Sequence, residues 1–506
     1  MIRTGDEYIE SIRDGREVYV GGERVKDVPS HPMFKPLVDI RARIYDMQHE
    51  PRTRHIMAFE EDGEWTAIGN KLPHTQSDWW DKRRAADTLL EEIGGIVTRV
   101  GDETVGEMWS LFDGQDVLNE VDPQFSANIR NHISRVIQAD PFHVSANTDP
   151  KGDRSRPPQE QDPDMLLHVV KETDAGIVVR GAKYETAAAY ANQAFTKPTI
   201  ANWGSEAYSD YALGFICDLG SPGLKFICRG GFAGRAPAED YPLSNRFDEI
   251  DTLVIFDNVL IPWENVLFYR HTRAAMFMRA TLHRYSAFAF VQRNLKFADM
   301  MIGAALFNAR QTGLDKHQAV QEKLSQLAVY REGINAHLTA SITLAERSPG
   351  GLMMPNQSLV YTGRVLACSQ LHHMMHIARE LCGGQICVTR GLLSRALNRL
   401  GTGTLGAVLS APLLGGLLWV ALRLWWRWVG TVGVLPLVFP VSVLLAALLW
   451  SGWRYRAAHV QVTSVGLLAY LVLGGCLIWL MAQGALLTDG IVVLLQTLLQ
   501  IVFAIN

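Results

Sequence analysis

A histidine, an arginine and a glycine-containing turn are the features of this sequence whose chemistry reaches beyond packing. His143 lies in Asp140-Pro141-Phe142-His143-Val144-Ser145. Its imidazole can pass a proton or hydrogen-bond a ligand oxygen near neutral pH, although a histidine between Phe and Val can also be a packed residue. Arg99, in Val97-Thr98-Arg99-Val100-Gly101, is a permanent cation that lowers the cost of a developing anion. Its ordinary alternative is a surface ion pair with Asp102 or Glu103. The run Asn147-Thr148-Asp149-Pro150-Lys151-Gly152-Asp153-Arg154 is dense in turn residues. Gly152 there lets backbone groups approach a planar ring or a diphosphate closely, where a plain solvated turn would face water.

Two other motifs carry less. Gly230-Gly231-Phe232-Ala233-Gly234 lacks the strand–turn–helix context of a dinucleotide fingerprint. His372, His373 and His376 fall within about one helical turn, but only Glu380 supplies a carboxylate at matching spacing. Core or surface histidines are expected there, and no metal. The six cysteines, Cys217, Cys228, Cys368, Cys382, Cys387 and Cys476, have no paired metal spacing and are expected as reduced thiols.

The elements that must position these groups follow from periodicity. Thr4 can cap a helix through Tyr8 and Ile9, and Phe34, Leu37, Ile40, Ile44 and Met47 mark a second. Asp78 to Val100 and Val105 to Leu118 add two more amphipathic segments, with a small hairpin at Arg16 to Gly22. Past Gln138 the pattern changes to short β-type runs at Met165–Val170, Gly176–Val179, Tyr211–Cys217, Leu224–Cys228 and Leu253–Phe256, as in a small antiparallel barrel or sandwich. Thr281–Gln311, Lys316–Ala345 and Asn356–Leu381 then read as three long antiparallel bundle helices. Between these blocks lies YPLSNRFDEIDTLVIFDNVLIPWENVLFYR, Tyr241 to Arg270, where a closing strand delivers the chain into the bundle.

The wording of that junction, FDEIDTLVIFDNVLIPWENVL, closely resembles the two-component flavin-dependent phenol hydroxylases, the oxygenase components of 4-hydroxyphenylacetate 3-monooxygenase and their relatives. The opening GDEYIESIRDGREVYVGGERVKDVPSHPMF and KETDAGIVVRGAKYETA at 171–187 share the resemblance, which covers Thr4 to Val388. Within that family the chain is assigned to the branch of pyoverdin chromophore biosynthetic proteins. The resemblance implies an α+β, acyl-CoA dehydrogenase-like fold. It comprises an N-terminal helical domain (1–135), a central β-barrel-like flavin and substrate domain (136–270) and a helical bundle (271–389). It also implies reduced FAD (FADH2) from a separate flavin reductase, O2 as cosubstrate, ortho-hydroxylation of a tyrosine-derived phenol to a catechol, and a homo-oligomer, tetramer or dimer.

Site residues carry over by position. Arg99 and His143 match the family pair that holds the phenol oxygen and assists catalysis. Glu103 stands where better-known members have a tyrosine, and a carboxylate there favours a cationic or amide-bearing phenol. With Ala201 these residues are expected to bind substrate. The flavin is expected to be held by His143, Val144, Ser145, Asp149, Pro150, Lys151, Gly152 and Ala187, the last replacing a threonine of the relatives.

Charge divides the chain. Residues 1–389 hold 41 basic and 51 acidic side chains, whereas residues 390–506 hold seven arginines and one aspartate. An acidic body argues against nucleic acid as a partner. It lacks an apolar leader and is expected in the cytoplasm. From Thr389 the resemblance stops. Gly401–Leu422, Trp428–Trp453 and Thr463–Thr488 contain no charge, and Gly490–Asn506 is apolar almost throughout. Four transmembrane helices, about 402–422, 429–451, 464–483 and 488–505, are expected in the cell membrane, with the arginine bias placing the body inside. Two alternatives remain at this level: a catalytically impaired fusion product acting only as a membrane protein, and an acyl-CoA dehydrogenase-type flavoenzyme, for whose glutamate base no segment shows a counterpart.

Overall fold

The computed structural model describes residues 2–61, 63–95, 102–153, 155–198 and 206–383. Helix α1 (Gly5–Ser11) is fixed by a capping box in which Thr4 and Glu7 satisfy each other's backbone amides. The hairpin β1 (Glu17–Val20) and β2 (Glu23–Arg24) follows, then α2 (Lys35–Asp46), which buries Leu37, Val38, Ile40, Ile44 and Tyr45 on its inner side. A short α3 (Arg54–Met57) and the hairpin β3 (Ala58–Glu61) and β4 (Glu64–Ala67) lead to α4 (Gln76–Ile93). Thr75 caps α4 and Gly94 ends it in the left-handed region, so the helix stops short of the expected Val100. The expected Val105–Leu118 helix is two pieces, α5 (Asp102–Asp113) and α6 (Gln115–Asn119), broken at Gly114. Helix α7 (Pro123–Ala139) completes the layer. Asp122 caps it, and it ends on Asp140 at φ 44.

Asp140 turns the chain into the β region: β5 (His143–Ala146), β6 (His168–Thr173), β7 (Gly176–Thr186), β8 (Gln193–Thr196), β9 (Leu213–Asp218) and β10 (Leu224–Cys228). After α8 (Pro242–Phe247) come β11 (Asp251–Pro262) and β12 (Val266–Tyr269). Two sheets result, ordered β2-β1-β10-β11-β7-β6 and β12-β9-β8-β5. They are mixed and not purely antiparallel, because β1 pairs β10 in parallel and β5 pairs β8 in parallel. The hairpin expected within the N-terminal helical segment is therefore an edge of the central sheet.

Strand β11 continues past Phe256, where the expected run ends. Phe256 faces Gly181 and Val259 faces Val179, so Asp257-Asn258 adds one residue on the β11 side. This bulge, with Asn258 at φ 58, keeps Thr252, Val254, Phe256, Val259 and Ile261 all pointing inward. Beyond β12, α9 (Thr272–Thr281) packs on α5 and α6, and the three long helices α10 (His283–Gln311), α11 (Gln318–Thr343) and α12 (Gln357–Cys382) pack on one another as a bundle. An aromatic cluster joins bundle to helical layer. Trp79 of α4 stacks on Tyr285 of α10, Trp109 of α5 meets both edge-on, and the Trp79 indole donates to the Met353 carbonyl at 2.7 Å.

Among the described residues no helix is long and apolar enough to cross a membrane. The four expected spans between 402 and 505 lie outside the described residues. Cys217, Cys228, Cys368 and Cys382 are free thiols.

The pairing of β7 with β11 demands glycine at its start. Gly176 has φ +154, and a Cβ there would lie 2.0 Å from the Ile261 carbonyl oxygen. Gly176→Ala is expected to destabilise the folded protein by about 3 kcal/mol, read as a lowered midpoint in urea unfolding followed by tryptophan fluorescence.

Candidate functional site

The β5 and β8 strands lie side by side, and the polar side chains that leave them converge. Ser145 of β5 donates its hydroxyl to Glu107 of α5 at 2.6 Å. Lys197, the first residue after β8, donates to the same Glu107 oxygen at 2.8 Å and also to the Ser145 hydroxyl. The Ser145 amide donates to Glu185 of β7 at 3.2 Å. Two residues back on β7, the Lys183 ammonium donates to Asp149 and to the Lys197 carbonyl, the latter at 2.9 Å. Lys183 and Lys197 are each only 2% exposed. Taking an ammonium out of water costs several kcal/mol unless it is paired and hydrogen-bonded. Here the carboxylates of Glu107 and Asp149, a hydroxyl and a carbonyl meet that need. A small cavity of about 10 Å³ beside them is lined by Asp149, Lys183, Lys197, Pro198, Tyr211 and apolar side chains. Burial and the neighbouring Asp210 raise the Tyr211 phenol above its ordinary pKa.

The expected site residues divide around this cavity. Asp149 lines it, and Ser145 belongs to the network beside it. Gly152 is in the left-handed region at φ +49, but a Cβ there would strike Gln161 and Met165, so packing within the loop itself demands the glycine. Val144 is fully buried in the core. Ala187, also fully buried, takes φ 70 and donates its amide to the Ile250 carbonyl at 3.0 Å. It is not among the lining residues. Pro150 and Lys151 sit on the loop between Asp149 and Gly152, with Lys151 exposed. Arg99 and Ala201 lie outside the described residues. The backbone of Glu103 is in α5, while its side chain lies outside them.

His143 was expected at the flavin–substrate junction as a loop residue. It is a strand residue on the same face of β5 as Ser145, its ring packs edge-on against His132 of α7 at 5.2 Å, and it is not among the cavity-lining residues. Neither ring nitrogen has a hydrogen-bond partner among the described residues. Burial, reinforced by the Arg41 guanidinium, pushes its pKa down to about 3, and burial likewise holds His132 well below the ordinary range.

Glu107, Lys183, Glu185 and Lys197 were not anticipated. One signal was available: Glu107 stands four residues after Glu103, so both occupy one face of α5. A reduced flavin held by the 147–153 loop would meet these residues. Both buried ammonium groups are already balanced by Glu107 and Asp149, and the cavity as it stands is far smaller than a flavin ring, so what the described residues offer the group is the loop backbone and the polar seam beside it.

A helical layer, a two-sheet β domain and a helix bundle, with a dry polar seam between β strands and layer, define an acyl-CoA dehydrogenase-like flavoenzyme architecture. Family models described as the N-terminal and C-terminal parts of 4-hydroxyphenylacetate 3-hydroxylase match residues 4–268 and 272–390. The chain is 33% identical over 371 residues to the 4-hydroxyphenylacetate 3-monooxygenase oxygenase component of Thermus thermophilus, covering 72% of this chain and 76% of that one. It is also 33% identical to a 4-nitrophenol 2-monooxygenase oxygenase component from a Rhodococcus species, over 70% and 68% of the two chains. Among solved structures, the oxygenase component of 4-hydroxyphenylacetate 3-monooxygenase complexed with FAD and 4-hydroxyphenylacetate superposes with a TM-score of 0.70 at 32% identity, covering 76% of this chain and 80% of that one. The chain belongs to the 4-hydroxyphenylacetate 3-hydroxylase family. Family sequence extends through the bundle to residue 390, the start of the apolar tail.

The depressed His143 pKa has a signed consequence. The unfolded histidine binds a proton near pH 6.5 while the folded one does not until about pH 3. The resulting stability is present above pH 6.5 and is lost as pH falls through that window, by up to about 1.4 kcal/mol per pH unit. His143→Leu is expected to flatten the fall in unfolding free energy between pH 6.5 and 4.5. Urea titrations at those two pH values check this, and an unchanged slope would count against a neutral buried imidazole.

Proposed function

We propose that this chain is the oxygenase component of a two-component flavin monooxygenase, and that it ortho-hydroxylates a phenol to a catechol with reduced FAD and O2. The observation that carries this is the family match running through both halves of the family sequence, 4–268 and 272–390. It favours this reading over an acyl-CoA dehydrogenase-type reaction and over a protein acting only in a membrane. A separate reductase supplies the reduced flavin, as the name oxygenase component in the relatives supports. A homo-oligomer and a place in the pyoverdin chromophore branch remain part of the proposal.

Bound reduced FAD supplies the activation of dioxygen. The protein's own residues supply position and a dry environment. Asp149 and the 147–153 loop would hold the flavin, with Lys183 and Lys197 as the buried cations beside it. The hydroxyl of Ser145 is already oriented: it donates to Glu107 and accepts from Lys197. Its proton therefore points at Glu107. Arg99, by its family position, would hold the phenol oxygen and lower the cost of its deprotonation. The enclosure keeps water from the reacting centre, which otherwise diverts the oxygen to free peroxide.

The substrate is assigned as a tyrosine-derived phenol bearing a cationic or amide group, on the ground that Glu103 places a carboxylate where relatives have a tyrosine. Purified protein, reduced FAD and O2 are expected to convert tyramine to its catechol faster than 4-hydroxyphenylacetate. Glu103→Gln is expected to reduce that preference in kcat/KM about tenfold, worth about 1.4 kcal/mol. An unchanged preference would remove the substrate assignment, and peroxide without catechol would remove the activity.

Residues 402–506 are proposed to tether the enzyme to a membrane, because three stretches of more than 20 residues there carry no charge. Alkaline carbonate extraction of membranes is expected to leave the full chain in the pellet and to release a version ending at 390.

A further inference from the structure

The helical layer encloses a second cavity, of about 50 Å³, between α2, α4 and the chain leaving α7. That volume holds about three or four waters, or one small ion with a water. Ile44 of α2 and Ala85 and Leu89 of α4 give it aliphatic walls, and its charged lining residues are Arg41, Lys82 and Asp140. The lining therefore carries more positive than negative charge.

Arg41 of α2 stands apart among them. It is only 6% exposed, yet its guanidinium has no hydrogen-bond or ion-pair acceptor among the described residues, and its Nε is wholly enclosed. Its company is aromatic. The guanidinium carbon lies 3.7 Å from the centre of the Phe142 ring and 5.6 Å from that of Tyr45. The other charged groups of the lining are engaged. Asp140 accepts from the side-chain amides of Gln48 at 3.0 Å and Asn70 at 2.8 Å, and it forms no ion pair with Arg41. Lys82 donates to the carbonyls of Ile68 and Gly69 at 2.8 and 3.0 Å.

We propose that this cavity binds one small monovalent anion, a halide or a planar oxyanion of the size of formate or nitrate, on the Arg41 guanidinium. A cation withdrawn from water needs an acceptor, and an aromatic face replaces only part of the lost hydration. The planar array of guanidinium donors suits a single halide or a pair of oxygens equally. Phe142 also precedes His143, whose protonation burial and the Arg41 charge both oppose, so an anion at Arg41 would ease that opposition. The site lies within the helical layer and is independent of the flavin reading.

The test uses the full chain and its Arg41→Met variant, in a buffer whose sodium gluconate is replaced stepwise, at constant ionic strength, by sodium formate, nitrate or chloride. Gluconate is too bulky for the cavity. A ligand that binds only the folded state raises Tm by mass action. The wild type is expected to gain about 2 °C or more and then level off, whereas Arg41→Met shows no such saturating rise. General salt effects act on both proteins, so the difference between them is the readout. Equal responses would overturn the site. Arg41→Met removes a charge without stranding a partner, and it is expected to be at least as stable as wild type in gluconate. Wild-type crystals grown in sodium bromide give a readout that needs no variant, and it decides if Arg41→Met does not fold. An anomalous bromide peak against the Arg41 guanidinium is expected, and a cavity without one refutes the proposal.

Discussion

A lysine that ends up almost wholly out of water constrains everything near it. Lys197 is fixed by Glu107 from the helical layer and by Ser145 from a neighbouring strand. Lys183 then holds the Lys197 backbone. The β domain and the helical layer are thus joined by charge, whereas the layer and the bundle are joined by the aromatic packing around Trp79, Trp109 and Tyr285. Apolar packing tolerates small shifts, but a buried ion pair does not, because each lost contact exposes the full desolvation penalty. The region in which a flavin would lie is built on the less forgiving of the two.

Much of the architecture was legible because water covers one side of most elements. Helix α2 shows its buried side at three-to-four spacing, and β10 and β11 alternate inward and outward. Two of the strands that escaped notice, β5 and β8, are almost wholly buried on both faces and only four residues long. With no wet face there is no alternation to see. The bulge at Asp257-Asn258 also misled, since two turn-forming residues read as a break where the ladder in fact continues.

The site was less legible than the fold. Lysine is among the residues least often buried, so Lys183 and Lys197 read as solvated charges. Their partners lie far off in sequence: Asp149 is 34 residues from Lys183, and Glu107 is 90 from Lys197. Neither spacing leaves a local signature. His143 is the opposite case: its residue type suggested chemistry, and its ring is buried against another histidine as a neutral imidazole with no hydrogen-bond partner among the described residues. The family wording drew attention to the loop that carries Asp149, and only the geometry separated the groups beside the cavity from those merely near it in sequence.

The parallel pairing of β1 with β10 has a consequence for how the protein is made. Glu17 faces Lys225, so the two partners are separated by roughly two hundred residues of chain. During synthesis the first strand emerges long before β10 exists, and it must wait, paired only with β2, while the helical layer and most of the β domain are still being produced. Domains that fold strictly from the N-terminus avoid such a delay. In this chain the sheet is complete only when β10 and then β11 arrive, and until β10 does the hairpin at its edge is open to pairing with another nascent chain.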